Sequence, residues 1–203
     1  MTPIGRVHSA FVHRRRSAVL ERLLAELFPS SAVSVLDVGC GDGLVAAGIA
    51  ALRPGTALQG IDVLKRSDTH IPVEVFDGRR IPHGDKSFDV VMMVDVLHHS
   101  ESPEQLLGEA ARVARRCLVV KDHLSDAWLA TPRLRFMDYI GNARHGVSVA
   151  CAYWRHAQWL EACARLGLTV ERWQTDLGLY PWFADWLFGR SLHFAARLGR
   201  VDR

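Results

Sequence analysis

Short apolar runs alternate with helical patterns along this chain. Buried parallel strands read as continuous apolar segments, whereas the helices that cover them repeat apolar residues at i, i+3 and i+4. Val12, Val19, Leu20, Leu23, Leu24 and Leu27 stand at helical spacing, which predicts a helix over 11–28, closed by Pro29. The β-branched run Val33–Val38 predicts a first strand, Leu44–Leu52 an alanine-rich helix, Ala57–Ile61 a second strand and Val73–Phe76 a third. The link Val63–Pro72 is too short and polar for more than one helical turn. Phe88–Val94 predicts a central fourth strand and Cys117–Lys121 a fifth. Between them, Ser102 as N-cap, Pro103 at the first helical position and Gln105 at the third predict a helix from Pro103 to Arg115.

Beyond Lys121 the alternation loosens. A helix is expected over Ser125–Tyr139, a loop over Gly141–Tyr153, and a helix over Trp154–Leu166 stopped by Gly167. Leu168–Trp173 follows as a strand, Trp182–Phe188 as a short aromatic helix and Leu192–Ala196 as a last strand. Strands alternating with helices indicate an α/β class with a doubly wound, mostly parallel sheet. No domain boundary is visible, so 1–203 reads as one domain: an N-terminal helix (11–28), a ligand-binding half (33–121) and an acceptor and lid region (122–203).

The first strand runs into Asp37-Val38-Gly39-Cys40-Gly41-Asp42-Gly43, a glycine-rich turn that opens a helix. Glycines there allow positive φ and close approach of the backbone to a ligand, and the helix start offers free N–H groups. A dinucleotide fingerprint needs a third glycine at the sixth position. Leu44 stands there, which argues against nicotinamide or flavin. Asp37 points the same way, since a carboxylate would repel a pyrophosphate but stabilise a cationic ligand. Asp62, at the end of the second strand about twenty residues on, has the spacing and the two oxygens to accept both ribose hydroxyls, or it caps the following turn.

The turn resembles the first motif of class I S-adenosylmethionine-dependent methyltransferases. Ile81–Val91 and Val96-Leu97-His98-His99 resemble the stretches around the fourth strand of the small type 11 branch. The resemblance covers about Val33 to Lys121. It implies a Rossmann-like seven-stranded sheet with an antiparallel last strand, and S-adenosyl-L-methionine as cofactor, leaving as S-adenosyl-L-homocysteine. It also implies that Gly39, Cys40, Gly41 and Gly43 wrap the methionine half, while Asp77 and Gly78 take the adenine edge. Val63 and Leu64 are the candidates for the apolar adenine contact, and Asp95 either reaches the methionine portion or caps its turn.

Methyl transfer requires alignment, a dry pocket and, for some acceptors, a base. Candidate catalytic residues are His98 and His99 after the fourth strand and His123 after the fifth. Packed structural histidines are the competing reading. Tyr139, Asn142 and His145, in a glycine-hinged segment, are the candidate substrate contacts of a lid. Metal binding competes for His98, His99, Asp122 and His123. Successive side chains on a strand alternate, however, and no ligand spacing stands out, so no metal is expected.

A net charge of +3, concentrated at Arg14-Arg15-Arg16, is too narrow a footprint for nucleic acid to be the expected partner. One of those arginines is a candidate for the cofactor's carboxylate. The four cysteines form no C-x-x-C pair, and no apolar run is long enough to span a bilayer, so a cytoplasmic compartment is expected. The aromatic stretch Tyr180–Phe188 suggests core or dimer packing, or the wall of an apolar acceptor pocket. A small-molecule acceptor, O, N or C, and a monomer or homodimer are the leading expectation. The alternatives are an RNA or protein methyltransferase, although no Asn-Pro-Pro-Tyr-like site follows the fourth strand, and a cofactor-binding module that acts through a partner.

Overall fold

The strands are β1 (Ser34–Val38), β2 (Ala57–Asp62), β3 (Val73–Val75), β4 (Phe88–Val94), β5 (Ala114–His123), β6 (Leu168–Gln174) and β7 (His193–Arg200). In this computed structural model, which describes residues 3–142, 151–189 and 191–200, they form one sheet in the order β3-β2-β1-β4-β5-β7-β6. β1 to β5 pair in parallel, and β7 runs antiparallel to both β5 and β6. The sheet is therefore the expected Rossmann-like one with an antiparallel last strand.

Alternation along the strands loads both faces. Leu36, Val38, Val91, Met93, Leu118 and Val120 pack on one side with Leu106, Leu107 and Ala110 of α3 (Pro103–Val113) and Trp159 of α5 (His156–Arg165). Val35, Val90, Met92, Cys117 and Val119 pack on the other with Leu20, Leu24 and Leu27 of α1 (Pro3–Leu27) and Ala46 and Ile49 of α2 (Leu44–Leu52). A strand buried on both faces needs apolar residues at every position, which is the run that marked β4 and β5.

Several details differ from expectation, among them the bounds of α5 (His156–Arg165, expected Trp154–Leu166) and β7 (His193–Arg200, expected Leu192–Ala196). Helix α1 starts at Pro3 rather than residue 11. β5 starts at Ala114, straight from the end of α3, instead of at Cys117. Ser102 is the N-cap of α3 but makes no side-chain capping bond; its carbonyl accepts from Leu106 N–H at 3.1 Å. The fourth helix, α4, spans Ala130–Asn142 rather than Ser125–Tyr139. Pro132 explains the delay: proline lacks an N–H and fits a helix only in its first turn, so no helix begun at Ser125 could carry it. Leu129, at φ 53, breaks the backbone just before that turn. The sixth helix, α6, matches at Trp182–Phe188.

Candidate functional site

The turn after β1 holds three glycines in left-handed backbone, Gly39 at φ 72, Gly41 at φ 60 and Gly43 at φ 76. A Cβ on Gly39 would lie 2.5 Å from Val96 Cγ2, and one on Gly43 2.4 Å from Ile71 Cγ1. A Cβ on Gly41 would meet nothing within 4 Å. Two glycines are thus required by protein packing, and the middle one faces open space. Gly43→Ala is expected to destabilise the fold by about 2–3 kcal/mol, because backbone strain and a clash with buried Ile71 add. Gly41→Ala should cost only about 1 kcal/mol while placing a methyl group where the ligand must approach. Paired thermal melts and binding titrations check this; equal loss of stability in the two variants would contradict it.

Asp62 ties the ends of β1 and β2 together. Its Oδ2 accepts Gly41 N–H at 2.8 Å and its Oδ1 accepts Leu64 N–H at 3.0 Å. The turn-capping role is thus seen directly, and the bond to Gly41 N–H sets the carboxylate beside the open glycine. Asp37 is 3% exposed. Burial, with the charge of Asp62 added, pushes its carboxyl up to about 8. Burial likewise pushes the Cys40 thiol up to about 12, so it is an inert packing group against Gly60.

Further along this edge, Val63 and Leu64 are 62% and 54% exposed, an apolar step beside the turn. Asp77 Oδ1 accepts the N–H groups of Arg79 and Arg80, each at 2.8 Å, and Gly78 turns at φ 75. Its carboxyl sits below the usual range because of those two bonds. A half-buried carboxylate, an open glycine, exposed apolar side chains and an edge aspartate fit a nucleoside with a cationic tail.

The ends of β4 and β5 hold a different set of charges. Asp95, at φ 57, accepts Arg16 Nη2 at 2.5 Å and the ammonium of Lys121. Lys121 is fully buried, and its Nζ lies 3.3 Å from His193 Nδ1. Burial lowers the Lys121 pKa, with the attraction of Asp95 opposing it. Arg16 also hydrogen-bonds Tyr180, so α1 is clasped to the β4 edge. Of Arg15 and Arg16, the two whose side chains are described, Arg15 is exposed and Arg16 reaches inward to Asp95.

Beside this cluster lie the histidines. Leu97–His99 forms a single 3₁₀ turn, so the alternation of an extended strand does not separate His98 from His99; their ring centroids are 3.9 Å apart. His98 is buried, with Nδ1 2.6 Å from Asp122 Oδ1. Asp122 also accepts the N–H groups of His123 at 2.8 Å and Leu97 at 3.0 Å. His123 stacks edge-on to His98 at 4.4 Å. Burial opposes a charged His98, but Asp122, Asp95 and Asp138 outweigh it and hold its pKa above the ordinary value. For His99 and His123 burial prevails and the pKa is lowered. His98 Nε2 is buried without a hydrogen-bond partner.

The glycine turn and the histidines are neighbours, since Val96, against which Gly39 packs, immediately precedes the 3₁₀ turn. Of the expected lid contacts, Tyr139 is 74% exposed on α4 and touches no part of this cluster that the structure records. Asn142 ends α4 and its side chain, like His145, lies outside the described residues. Residues to which the sequence assigned no catalytic or substrate-contact role enter instead. Asp138 of α4 lies 3.8 Å from His98 Nε2 and accepts the Tyr153 hydroxyl. Asp122 orients His98, and Lys121 anchors Asp95. The periodic signal of β5 hid Lys121, and Asp138 became visible only once α4 was placed over the β4 edge. Within Tyr180–Phe188, Trp182 and Trp186 are 87% and 71% exposed, so those two are not core.

Residues 36–117 match the family model described as a methyltransferase domain. Methyltransferase GfsG of Streptomyces halstedii is 29% identical over 108 residues, covering 47% of this chain and 38% of that protein. Ubiquinone biosynthesis O-methyltransferase of Caulobacter vibrioides is 30% identical over 118 residues, covering 52% of this chain and 46% of that protein. This chain thus spans less than half the length of these curated relatives. An S-adenosylmethionine dependent methyltransferase from Mesorhizobium loti shares the fold at a TM-score of 0.67 and 18% identity, covering 88% of this chain and 96% of that one.

Proposed function

We propose that this chain, whose residues 36–117 match the model of a methyltransferase domain, is an enzyme that moves a methyl group from S-adenosylmethionine to a small-molecule acceptor. The observation that carries the reading is the Asp62 carboxylate bonded to Gly41 N–H, beside a glycine open to a ligand. Asp62 takes the ribose, Asp77 the adenine amine and Val63 with Leu64 the adenine face. Asp37 faces the cationic tail. The cofactor supplies a methyl carbon on a sulfonium; the acceptor's bond to carbon forms as the carbon–sulfur bond breaks, its electron pair staying on sulfur. His98, His99 and His123 line the acceptor side, and the buried cluster around them excludes water. Two of the curated relatives bear names of small-molecule methyltransferases, a 27-O-demethylrifamycin SV methyltransferase and a ubiquinone biosynthesis O-methyltransferase, which favours acceptors of that size.

Labelled cofactor incubated with the protein and fractionated extract tests this. Label in a low-mass fraction is expected; label confined to RNA or protein would overturn the acceptor class.

Asp37 gives a second expected outcome. With its carboxyl at about 8, it is mostly protonated at pH 7 in the free protein, and a cation beside it favours the carboxylate. Calorimetry in buffers of differing ionisation enthalpy should therefore show up to about one proton more released on binding by wild type than by Asp37→Asn. The sign for stability is opposite. A carboxyl raised on folding contributes fully below its unfolded value and loses that contribution as pH rises through about 8. Asp37→Asn should accordingly melt higher than wild type at pH 8 when no ligand is present. A lower melting temperature there, or equal proton release, would contradict the assignment.

A further inference from the structure

We propose that His98, His99 and Asp138 form a site for a divalent transition ion of the zinc class. Each of the three offers one ligand atom within 4.8 Å of the other two. The sequence argued against a metal because neighbouring histidines on a strand diverge; the 3₁₀ turn at Leu97–His99 removes that objection. The ring of His98 supplies the decisive geometry. Its Nδ1 faces Asp122 at 2.6 Å, so Nδ1 holds the proton donated to that carboxylate and the lone pair of the neutral ring falls on Nε2. Nε2 is buried and unpartnered, and the atom it confronts is Asp138 Oδ1 at 3.8 Å. That separation is too long for a hydrogen bond. It suits two ligands of one ion, each about 2.0–2.2 Å from it.

The surroundings are those of a prepared site. Asp122 on the far nitrogen of His98 is the carboxylate–histidine arrangement that fixes ring orientation and raises ligand basicity. The other oxygen of Asp138 is held by the Tyr153 hydroxyl, and Cys151 lies against both Asp138 and His99, its Sγ 3.6 Å from His99 Nδ1. The neighbouring trio His98, Asp122 and His123 is also close enough to hold an ion, but its carboxylate is already bonded by the His98 ring and two backbone N–H groups. It serves as support. Two imidazoles and one carboxylate favour zinc, cobalt or iron(II) over magnesium or calcium.

Three protein ligands leave a coordination position open, as in catalytic rather than structural sites. On the reading of the preceding subsection, an acceptor oxygen would occupy it, and its proton would pass to solvent more readily because the ion lowers its pKa. That would assign to the ion the work expected of a histidine base. Only this role rests on methyl transfer; binding of the ion does not.

The test uses the purified, chelator-stripped protein with the metal alone. Zinc titrated against a chromogenic chelator should bind at one equivalent, and cobalt(II) should give the visible absorption of a low-coordinate site. His99→Ala and Asp138→Asn should each weaken zinc binding by about 10–100-fold, and Asp122→Asn by a comparable factor through loss of ring orientation. Circular dichroism and S-adenosylhomocysteine binding verify that each variant is folded, and His99→Gln replaces any that is not. Absence of stoichiometric zinc in wild type, or unchanged affinity in both His99 and Asp138 variants, would overturn the proposal. Zinc bound as described in a protein that transfers no methyl group would uphold the site and count against the proposed activity instead.

Discussion

Asp62→Ala is expected to weaken S-adenosylmethionine binding by about 100-fold or more. Two ribose hydroxyls donating to one carboxylate are charge-assisted bonds worth about 1.5–3 kcal/mol each. The substitution also frees Gly41 N–H and Leu64 N–H, so the turn that must meet the ligand loses its two anchors. Asp62→Asn keeps one acceptor oxygen and should fall between wild type and alanine. Calorimetric titration with S-adenosylmethionine and S-adenosylhomocysteine reads both variants. An alanine variant within threefold of wild type would remove the ribose assignment. The fold should survive, because Asp62 lies at the rim and the core strands keep their apolar faces.

The second large effect concerns stability. Asp95→Ala leaves the ammonium of Lys121 fully buried without its carboxylate, and an uncompensated buried charge costs about 3–5 kcal/mol. The melting temperature should fall by roughly 10 °C. Adding Lys121→Met should restore most of the loss, since the unpaired charge is then gone and a chain of similar length fills the space. Lys121→Met alone should cost less than Asp95→Ala, because Asp95 retains Arg16. Strict additivity of the two single changes in denaturant unfolding would show that the pair is not coupled as the distances imply.

The fold was legible where burial imposes a pattern. Strands β1, β2 and β4, helix α2 and the centre of β5 read true because burial of their apolar residues leaves little freedom. The glycine turn and Asp62 were legible because positive φ and a bidentate carboxylate need particular residue types. What escaped were features set by three-dimensional neighbours. The pairing of His98 with His99 on one side depends on a 3₁₀ turn, and nothing in the local sequence distinguishes that from a strand end. Asp138 gains its meaning from α4, whose start Pro132 displaces, and Lys121 from Asp95, twenty-six residues earlier in the chain. Arg16 looked like one of three equivalent surface cations until α1 was placed against the β4 edge.

The position of β7 between β5 and β6 governs the order in which this sheet can be completed in time. β5 is finished by His123, yet one of its two neighbours arrives only with His193–Arg200. Until then, Cys117–Val120 present an unpaired and fully apolar edge, a template on which a strand of another chain can settle. Long-range pairing of this kind closes slowly, because the intervening loop must be ordered before any ladder bond rewards it. The same strand sets His193 against His123 and Phe194 against Trp159. In a chain made from its N-terminus, β1 to β5 and the helices that cover them all precede the strand that closes the edge of β5.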